Sequence, residues 1–343
     1  MTLTEHAVRI GDTVDLPDVL TKLGIHYLCM RSERNLSAAP PDATAAFARA
    51  MDGLPIAMHT DDANAQHYEV PAEFFAQVLG PRRKYSSCFY ATGGENLAQA
   101  EEAALSQSCE FAQLADGQEI LELGCGWGSL TLWMAQHYPR ARITAVSNSA
   151  SQRAYINEQA RRLGLANVSV VTADMNVFAP AGQQFDRIVS VEMFEHMANW
   201  HALLQRACVW LAPEGRMFVH VFTHAETPYR FDHADKSDWI ANYFFTGGIM
   251  PSRALMGAFA DCFHVEAERQ WSGAHYRRTA MDWLKNYDRN GTAIAPMLRE
   301  TYGADWRIWR RRWRLFFLAT AGMFGYGSGN PWGVTHYRLK PVR

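Results

Sequence analysis

Two acids and a histidine fall within five residues at Glu192-Met-Phe-Glu195-His196. They follow Phe185-Asp-Arg-Ile-Val-Ser-Val191, an apolar run that has the composition of a buried strand. Ionisable groups at such a place are costly unless they are used. A carboxylate can hold an ammonium through a charge-assisted hydrogen bond. A neutral imidazole or a carboxylate can remove the proton that blocks an amine lone pair. The plain alternative is a helix start, where glutamate favours the N-terminal dipole.

A second cluster is Glu122-Leu-Gly124-Cys-Gly126-Trp-Gly128. Three alternating glycines at a strand-to-helix turn allow a ligand to approach the backbone closely, and the helix that follows favours negative charge. A P-loop would need a Gly-Lys-Ser/Thr ending, which is absent. A dinucleotide turn needs GxGxxG and then an acid about 20 residues on; the spacing here is one residue tighter, which weakens that reading. S-adenosylmethionine, whose carboxypropyl group and ribose sit over a GxGxG loop, is the remaining class. A tight turn without a ligand is the alternative.

The elements that must position these clusters begin near residue 117. Strand signals at 119–123, 141–146, 168–172, 185–191 and 216–222 alternate with helical ones at 129–138, 149–165 and 200–211. That rhythm predicts βαβ units and a parallel, doubly wound α/β sheet, with late strands at 263–270 and 334–340 closing it. Upstream, Leu16, Val19, Leu20 and Leu23 predict a short helix from Pro17 to Gly24, and 72–80 and 94–114 predict two more. The expected organisation is a helical N-terminal substrate cap (1–114), a cofactor-binding core (115–225), an inserted lid (226–261) and a closing segment of late strands and aromatic-rich helices (262–343). Trp239, Tyr243 and Phe244 in the insertion are candidate aromatic contacts for a flat or cationic substrate, with Gly247-Gly248 as a hinge; plain core packing would explain them equally.

Composition narrows the class. Lys plus Arg (33) and Asp plus Glu (35) nearly cancel, which argues against a nucleic-acid partner. Six scattered cysteines without a CxxC pair argue against a disulfide framework or a zinc site, so a cytoplasmic setting is the expectation. No run of 18 apolar residues predicts a membrane span. The arginine-rich, tryptophan-rich stretch 306–317 could meet a membrane surface, although a solvated face against a core is the favoured reading. His220, His224 and His233 lack acids at ligand spacing, so no metal is expected.

Leu121-Glu-Leu-Gly-Cys-Gly-Trp-Gly-Ser129 resembles the first motif of class I methyltransferases, in the spelling of the cyclopropane-fatty-acid-synthase-like group. Val191-Glu-Met-Phe-Glu-His-Met197, Phe218-Val-His-Val-Phe-Thr-His224, Asp238-Trp-Ile-Ala-Asn-Tyr-Phe-Phe-Thr-Gly-Gly248, Trp271-Ser-Gly-Ala-His-Tyr276 and Phe324-Gly-Tyr326 resemble its amine branch, the coclaurine and pavine N-methyltransferases. The resemblance spans about residues 75–340. It implies a Rossmann-like class I methyltransferase fold with a mostly parallel seven-stranded sheet, and S-adenosylmethionine as cofactor with S-adenosylhomocysteine as product. It places Gly124, Gly126 and Gly128 along the methionine part and makes Glu122 orient the loop through backbone hydrogen bonds. Asn148 and Gln152 would meet the ribose, and Asp174 and Met175 the adenine. Glu195 and His196 become the catalytic pair acting on a tetrahydroisoquinoline-like amine, with Glu192 either a second substrate-facing carboxylate or a group behind the pair that orients it. His275 and Tyr326 join the expected substrate contacts. The implied partner is a small-molecule amine, with no stable membrane insertion; a homodimer is left open.

The lipid branch of the same group is the rival. It cyclopropanates or C-methylates unsaturated acyl chains through a carbocation, with a bound bicarbonate as base. Its cage of Cys, acid, His, backbone and Tyr maps here to the Ser86–Cys88 region, just after the expected substrate contact Tyr85, and to Glu195, His220, Phe222 and Tyr276. The cysteine position aligns with Ser87, and Cys88 lies one residue off. That offset, Thr246 in place of a proline, and the presence of Glu192 favour the amine.

Overall fold

The computed structural model describes residues 3–58, 70–231, 234–235 and 238–343; His233 lies outside them. In chain order the strands are β1 (Glu119–Leu123), β2 (Arg142–Ser147), β3 (Val168–Thr172), β4 (Phe185–Val191), β5 (Leu211–His224), β6 (Tyr229–Arg230), β7 (Ile249–Met250), β8 (Phe263–Ser272) and β9 (Trp332–Pro341). Seven of them form one sheet in the order β3-β2-β1-β4-β5-β9-β8. The first five run parallel, and β9 is antiparallel to both β5 and β8. This is the expected class I methyltransferase sheet. The order reverses between β1 and β4, the place where open α/β sheets bind ligands at their carboxyl ends.

The local reasons are in the sequence. Parallel strands are covered on both faces and so carry near-continuous apolar runs; Ile120, Leu121, Leu123, Ile188 and Val189 are all buried. Helix Ala150–Arg162 begins where the Ser149 hydroxyl accepts from the Gln152 N–H. Helix Leu97–Phe111 begins at a reciprocal capping box between Asn96 and Gln99. Helix Trp200–Trp210 covers one face of the sheet through Trp200, Leu203, Leu204 and Ala207, packed with Phe185, Met217 and Val219. A separate aromatic core, with Phe74, Phe75, Trp283, Trp313 and Phe317, joins the N-terminal helices to those after β8.

Three expectations change. The helix predicted to end at Gly24 runs on as Asp18–Leu36; one glycine costs about 1 kcal/mol in a helix, which the following good helix formers offset. Its Val19, Leu20 and Leu23 are exposed rather than buried. The predicted strand 216–222 extends to Leu211–His224, because β9 pairs with it as far as His224. The insertion folds as the β6–β7 pair around a one-turn helix, Trp239–Tyr243. In the arginine-rich helix Trp306–Gly325, Trp313 and Phe317 are buried, while Arg311, Arg312 and Arg314 pair with Asp15, Asp12 and Asp18. It is a core helix with a neutralised basic face, and no described helix is long and apolar enough to cross a membrane.

Candidate functional site

The carboxyl ends of β1 and β4 open into one cavity. Its floor is the glycine loop, its far side Asn148, Gln152, Asp174 and Met175, and its near wall Glu192, Glu195 and His196. All eight expected cofactor contacts except Gly128 line it.

Each glycine has a different reason. Gly128 has φ +77°, and a Cβ there would lie 2.6 Å from Ile156 Cγ1, so it permits the helix after β1 to close on its neighbour. Gly126, at φ +51°, has nothing within 4 Å of where a Cβ would sit, so its backbone stays bare toward the cavity. The Glu122 side chain is buried and accepts the Thr131 hydroxyl from the next helix. It therefore ties the loop to that helix through a side chain, not through the backbone bonds expected. Burial pushes its carboxyl up to about 7. Gln152 is buried, its amide oxygen taken by Ser147 Oγ at 2.6 Å while its Nε2 has no hydrogen-bond partner among the described residues. Asp174 accepts the Asn176 N–H at 2.8 Å, so it caps its turn and also lines the cavity. Bare backbone at Gly126, a spare buried amide donor and a carboxylate across the cavity fit the groups that S-adenosylmethionine presents.

The turn after β4 places the acids. Glu192 has φ +47°, uncommon for a residue with a side chain, and its N–H is held by the His220 carbonyl at 2.8 Å. The turn Phe194–His196 is anchored from behind by Trp200 Nε1, which donates to the Phe194 carbonyl at 2.8 Å. The Glu192 carboxylate accepts from Ser87 N–H (2.9 Å), His220 Nε2 (3.2 Å) and Tyr276 Oη (2.7 Å). Burial holds the His220 imidazole neutral, so Nε2 carries the proton it gives to Glu192. Glu195 is 1% exposed, and its Oε2 has no hydrogen-bond partner among the described residues.

Two carboxyls in one dry turn are thereby driven apart. Burial raises both, but Lys84, the Ser87 N–H and Tyr276 pull Glu192 back toward the ionised form. Nothing comparable offsets Glu195, which burial and then the Glu192 charge hold well above the usual carboxylate range. Of the two, Glu192 has the better-supported ionised form. His196 stacks on Phe245, ring centroids 4.4 Å apart.

The remaining expected substrate contacts divide. Tyr85, Phe222 and Tyr276 line the cavity. Ser87 and His220 stand behind it, reaching it through Glu192. Cys88 is buried, its thiol toward the Ser86 carbonyl at 3.7 Å and its N–H on Thr279, and does not face the cavity. Trp239, Tyr243 and Phe244 do not line it either. Trp239 Nε1 donates to Asp12, Tyr243 lies under Arg312, and Phe244 stacks on Phe316. Helix periodicity turns them into the core and leaves Phe245 and Thr246, past the helix end, to face the cavity. His275 Nδ1 accepts the Tyr90 N–H and its ring stacks on Phe89; Tyr326 packs between His26 and Trp332. Both are structural. His224 bonds Glu33 at 2.9 Å, and the metal-like grouping among the described residues, His201, Asp261 and Cys262, includes neither His220 nor His224. Missed by the sequence reading were Ala57, Met58, Lys84, Trp283 and Phe316, all of which line the cavity. Lys84 ends an Arg-Arg-Lys run that looks like a solvated patch, and nothing local marks the others.

Residues 57–330 match the family model described as mycolic acid cyclopropane synthetase. The chain is 37% identical over 292 residues to (S)-coclaurine N-methyltransferase of Thalictrum flavum subsp. glaucum, covering 84% of this chain and 81% of that one. It is 30% identical over 278 residues to the cyclopropane-fatty-acyl-phospholipid synthase of Escherichia coli strain K12, covering 80% and 67% respectively. The crystal structure of coclaurine N-methyltransferase bound to N-methylheliamine and SAH matches with a TM-score of 0.90 at 33% identity, over 98% of this chain and 99% of that one.

Proposed function

From a chain that belongs to the mycolic acid cyclopropane synthetase family and is an S-adenosylmethionine-dependent methyltransferase, we propose N-methylation of a small aromatic or heterocyclic amine of the tetrahydroisoquinoline kind. The observation that carries this reading is the Glu192 carboxylate seated on the Ser87 N–H, His220 and Tyr276. In the lipid branch, the resemblance assigns the matching donors to a bicarbonate ion. Here the protein's own side chain takes them, and it leaves an anion facing the cavity. A fixed anion suits an ammonium or a cationic product and has no use in deprotonating a carbocation already served by bicarbonate.

S-adenosylmethionine, when bound, supplies a methyl group on a sulfonium sulfur, open to in-line displacement. Gly124, Gly126, Gly128, Glu122, Asn148, Gln152, Asp174 and Met175 are the residues that would hold it. The work of the remaining residues concerns the amine. An alkyl ammonium must lose a proton before its nitrogen can attack. Glu195 Oε2, unpartnered among the described residues, accepts that proton when its carboxylate is ionised, a form that burial makes a stronger base, and His196 beside it shares the task. Glu192, its ionised form supported by Lys84, the Ser87 N–H and Tyr276 against the upward push of burial, balances the positive charge as it forms on nitrogen. Phe222, Phe245, Trp283 and Phe316 keep water out, which strengthens those charges, and offer ring faces to the acceptor.

The test is an S-adenosylhomocysteine-release assay on two panels, each with and without bicarbonate. One holds tetrahydroisoquinolines and simple aryl-alkyl amines, the other unsaturated phospholipids and free fatty acids. Turnover on amines independent of bicarbonate is expected. Turnover confined to acyl chains and rising with bicarbonate overturns the reading.

A further inference from the structure

A lysine sits behind the carboxylate that carries the reading above. Lys84 lies on the irregular segment between helices Ala72–Val78 and Leu97–Phe111, and it is 2% exposed. An ammonium taken out of water is expensive unless hydrogen-bonded and near opposite charge. The Lys84 Nζ donates to Ser86 Oγ and to the Ser87 carbonyl, each at 2.6 Å. Both acceptors are neutral and burial pulls the amine down from its ordinary range, so its charge depends on opposite charge further out, Glu192 and Glu101 among it. Ser87 is engaged on two sides: its carbonyl takes the ammonium, and its N–H donates to Glu192 Oε1 at 2.9 Å. The ammonium and the carboxylate are thus bridged by one residue.

The other groups facing this pair do not supply a positive charge. From β5 comes His220, neutral by burial; from helix Gly273–Arg289 comes Tyr276, a phenol held protonated by burial and by Glu192 itself. Cys88 beside Lys84 stays a thiol through burial. Glu195, once ionised, repels Glu192. On the far side of Lys84, Glu101 accepts the backbone N–H groups of Arg82 (2.8 Å) and Lys84 (3.2 Å), and burial pushes its carboxyl up to about 7.

We propose that Lys84 is a positioning residue for methyl transfer, its buried ammonium providing, through Ser86 and Ser87, the countercharge that the Glu192 carboxylate needs to face the acceptor nitrogen. The inference rests on the amine reading above and extends it to a residue that acts through Glu192: Lys84 lies at the cavity wall, and its ammonium donates to Ser86 and Ser87. A methyltransferase pocket that must neutralise a cationic product needs a carboxylate, and in a dry site a carboxylate needs a cation behind it. Here that cation is covalently fixed, aimed by two hydroxyl and carbonyl oxygens, and screened from solvent.

The experiment compares Lys84→Met, Lys84→Gln and Lys84→Arg, each alone and with Glu192→Gln. Its readouts are the pH profile of kcat and KM on a tetrahydroisoquinoline amine and calorimetric binding of S-adenosylhomocysteine. Lys84→Met should bind S-adenosylhomocysteine within about threefold of wild type while kcat falls about tenfold or more. The acid limb of its kcat profile should move up by about one pH unit, because Glu192 is then protonated more readily. Lys84→Arg should restore part of the rate and of the limb. In the Glu192→Gln background, Lys84→Met should cost less than about threefold further, since coupled residues are not additive. Lys84→Gln keeps a donor for Ser86 or Ser87 without the charge, so it must show the same limb shift should the methionine variant misfold. An unmoved acid limb, or an equal penalty in both backgrounds, overturns the inference alone. Full activity of Glu192→Gln overturns the amine reading and this inference with it.

Discussion

The Tyr276 hydroxyl and the Glu192 carboxylate, 84 residues apart in the chain, meet at 2.7 Å. The contact joins the helix after β8 to the turn after β4, so the closing segment of the sheet is coupled to the turn that carries Glu192 and Glu195. A hydrogen bond to a charged group is worth about 1.5–3 kcal/mol. Tyr276→Phe removes that bond and leaves Ser87 and His220 to hold the anion. Its kcat/KM on an amine should fall about 10- to 100-fold, with S-adenosylhomocysteine affinity unchanged in a calorimetric titration.

Glu195 has an oxygen with no partner among the described residues and no counter-charge of its own. Glu195→Gln keeps the shape and removes the base, and His196→Ala removes the imidazole beside it. Each should lose turnover by about 100-fold or more while binding S-adenosylhomocysteine normally. Wild-type activity in both variants would reassign the proton acceptor.

Glu122 gives a pH dependence of stability whose sign follows from its environment. Its carboxyl is raised by burial to about 7 from an ordinary value of 4.5. A raised carboxyl contributes stability that is fully present below its unfolded value and is lost as pH rises through the folded one. Between about pH 4.5 and 7 the cofactor-free protein should therefore lose stability that Glu122→Gln retains. The ceiling is about 3 kcal/mol at pH 8, from the width of the shift. Denaturant melts of both proteins at pH 4.5 and 8 check it: the difference should vanish at the lower pH and favour the variant at the higher.

Gly128 combines a left-handed backbone with a Cβ position 2.6 Å from Ile156. Gly128→Ala must strain the turn or push the helix Ala150–Arg162 away, at a cost of about 1–3 kcal/mol. A lower melting temperature together with weaker S-adenosylhomocysteine binding is expected. Gly126→Ala, which meets nothing within 4 Å, should spare packing yet still weaken binding, since its methyl group would project into the cofactor space.

The sheet was legible because its causes are local. Parallel strands buried on both faces write themselves as short apolar runs, and β1, β3 and β4 fall at the predicted residues. The glycine loop was legible for the same reason: three alternating glycines are needed only where backbone approaches backbone or ligand. Ser149 as a cap follows from a hydroxyl one residue before a helical pattern.

What stayed hidden depends on contacts far along the chain. Helix Asp18–Leu36 passes through Gly24 because its neighbours tolerate it, which a single breaker residue cannot reveal. Trp239, Tyr243 and Phe244 were equally good as lid or core by type, and only the orientation of a one-turn helix against Phe316, Arg312 and Asp12 chose the core. The sequence by itself determined that two carboxyls and a histidine stand at the end of a buried strand. That Glu192 is the hydrogen-bonded carboxylate and Glu195 the one with an unpartnered oxygen among the described residues was decided only in three dimensions. The donors that separate them, Ser87, His220 and Tyr276, come from three other parts of the chain, and ionisation in a dry site follows whichever group those donors reach.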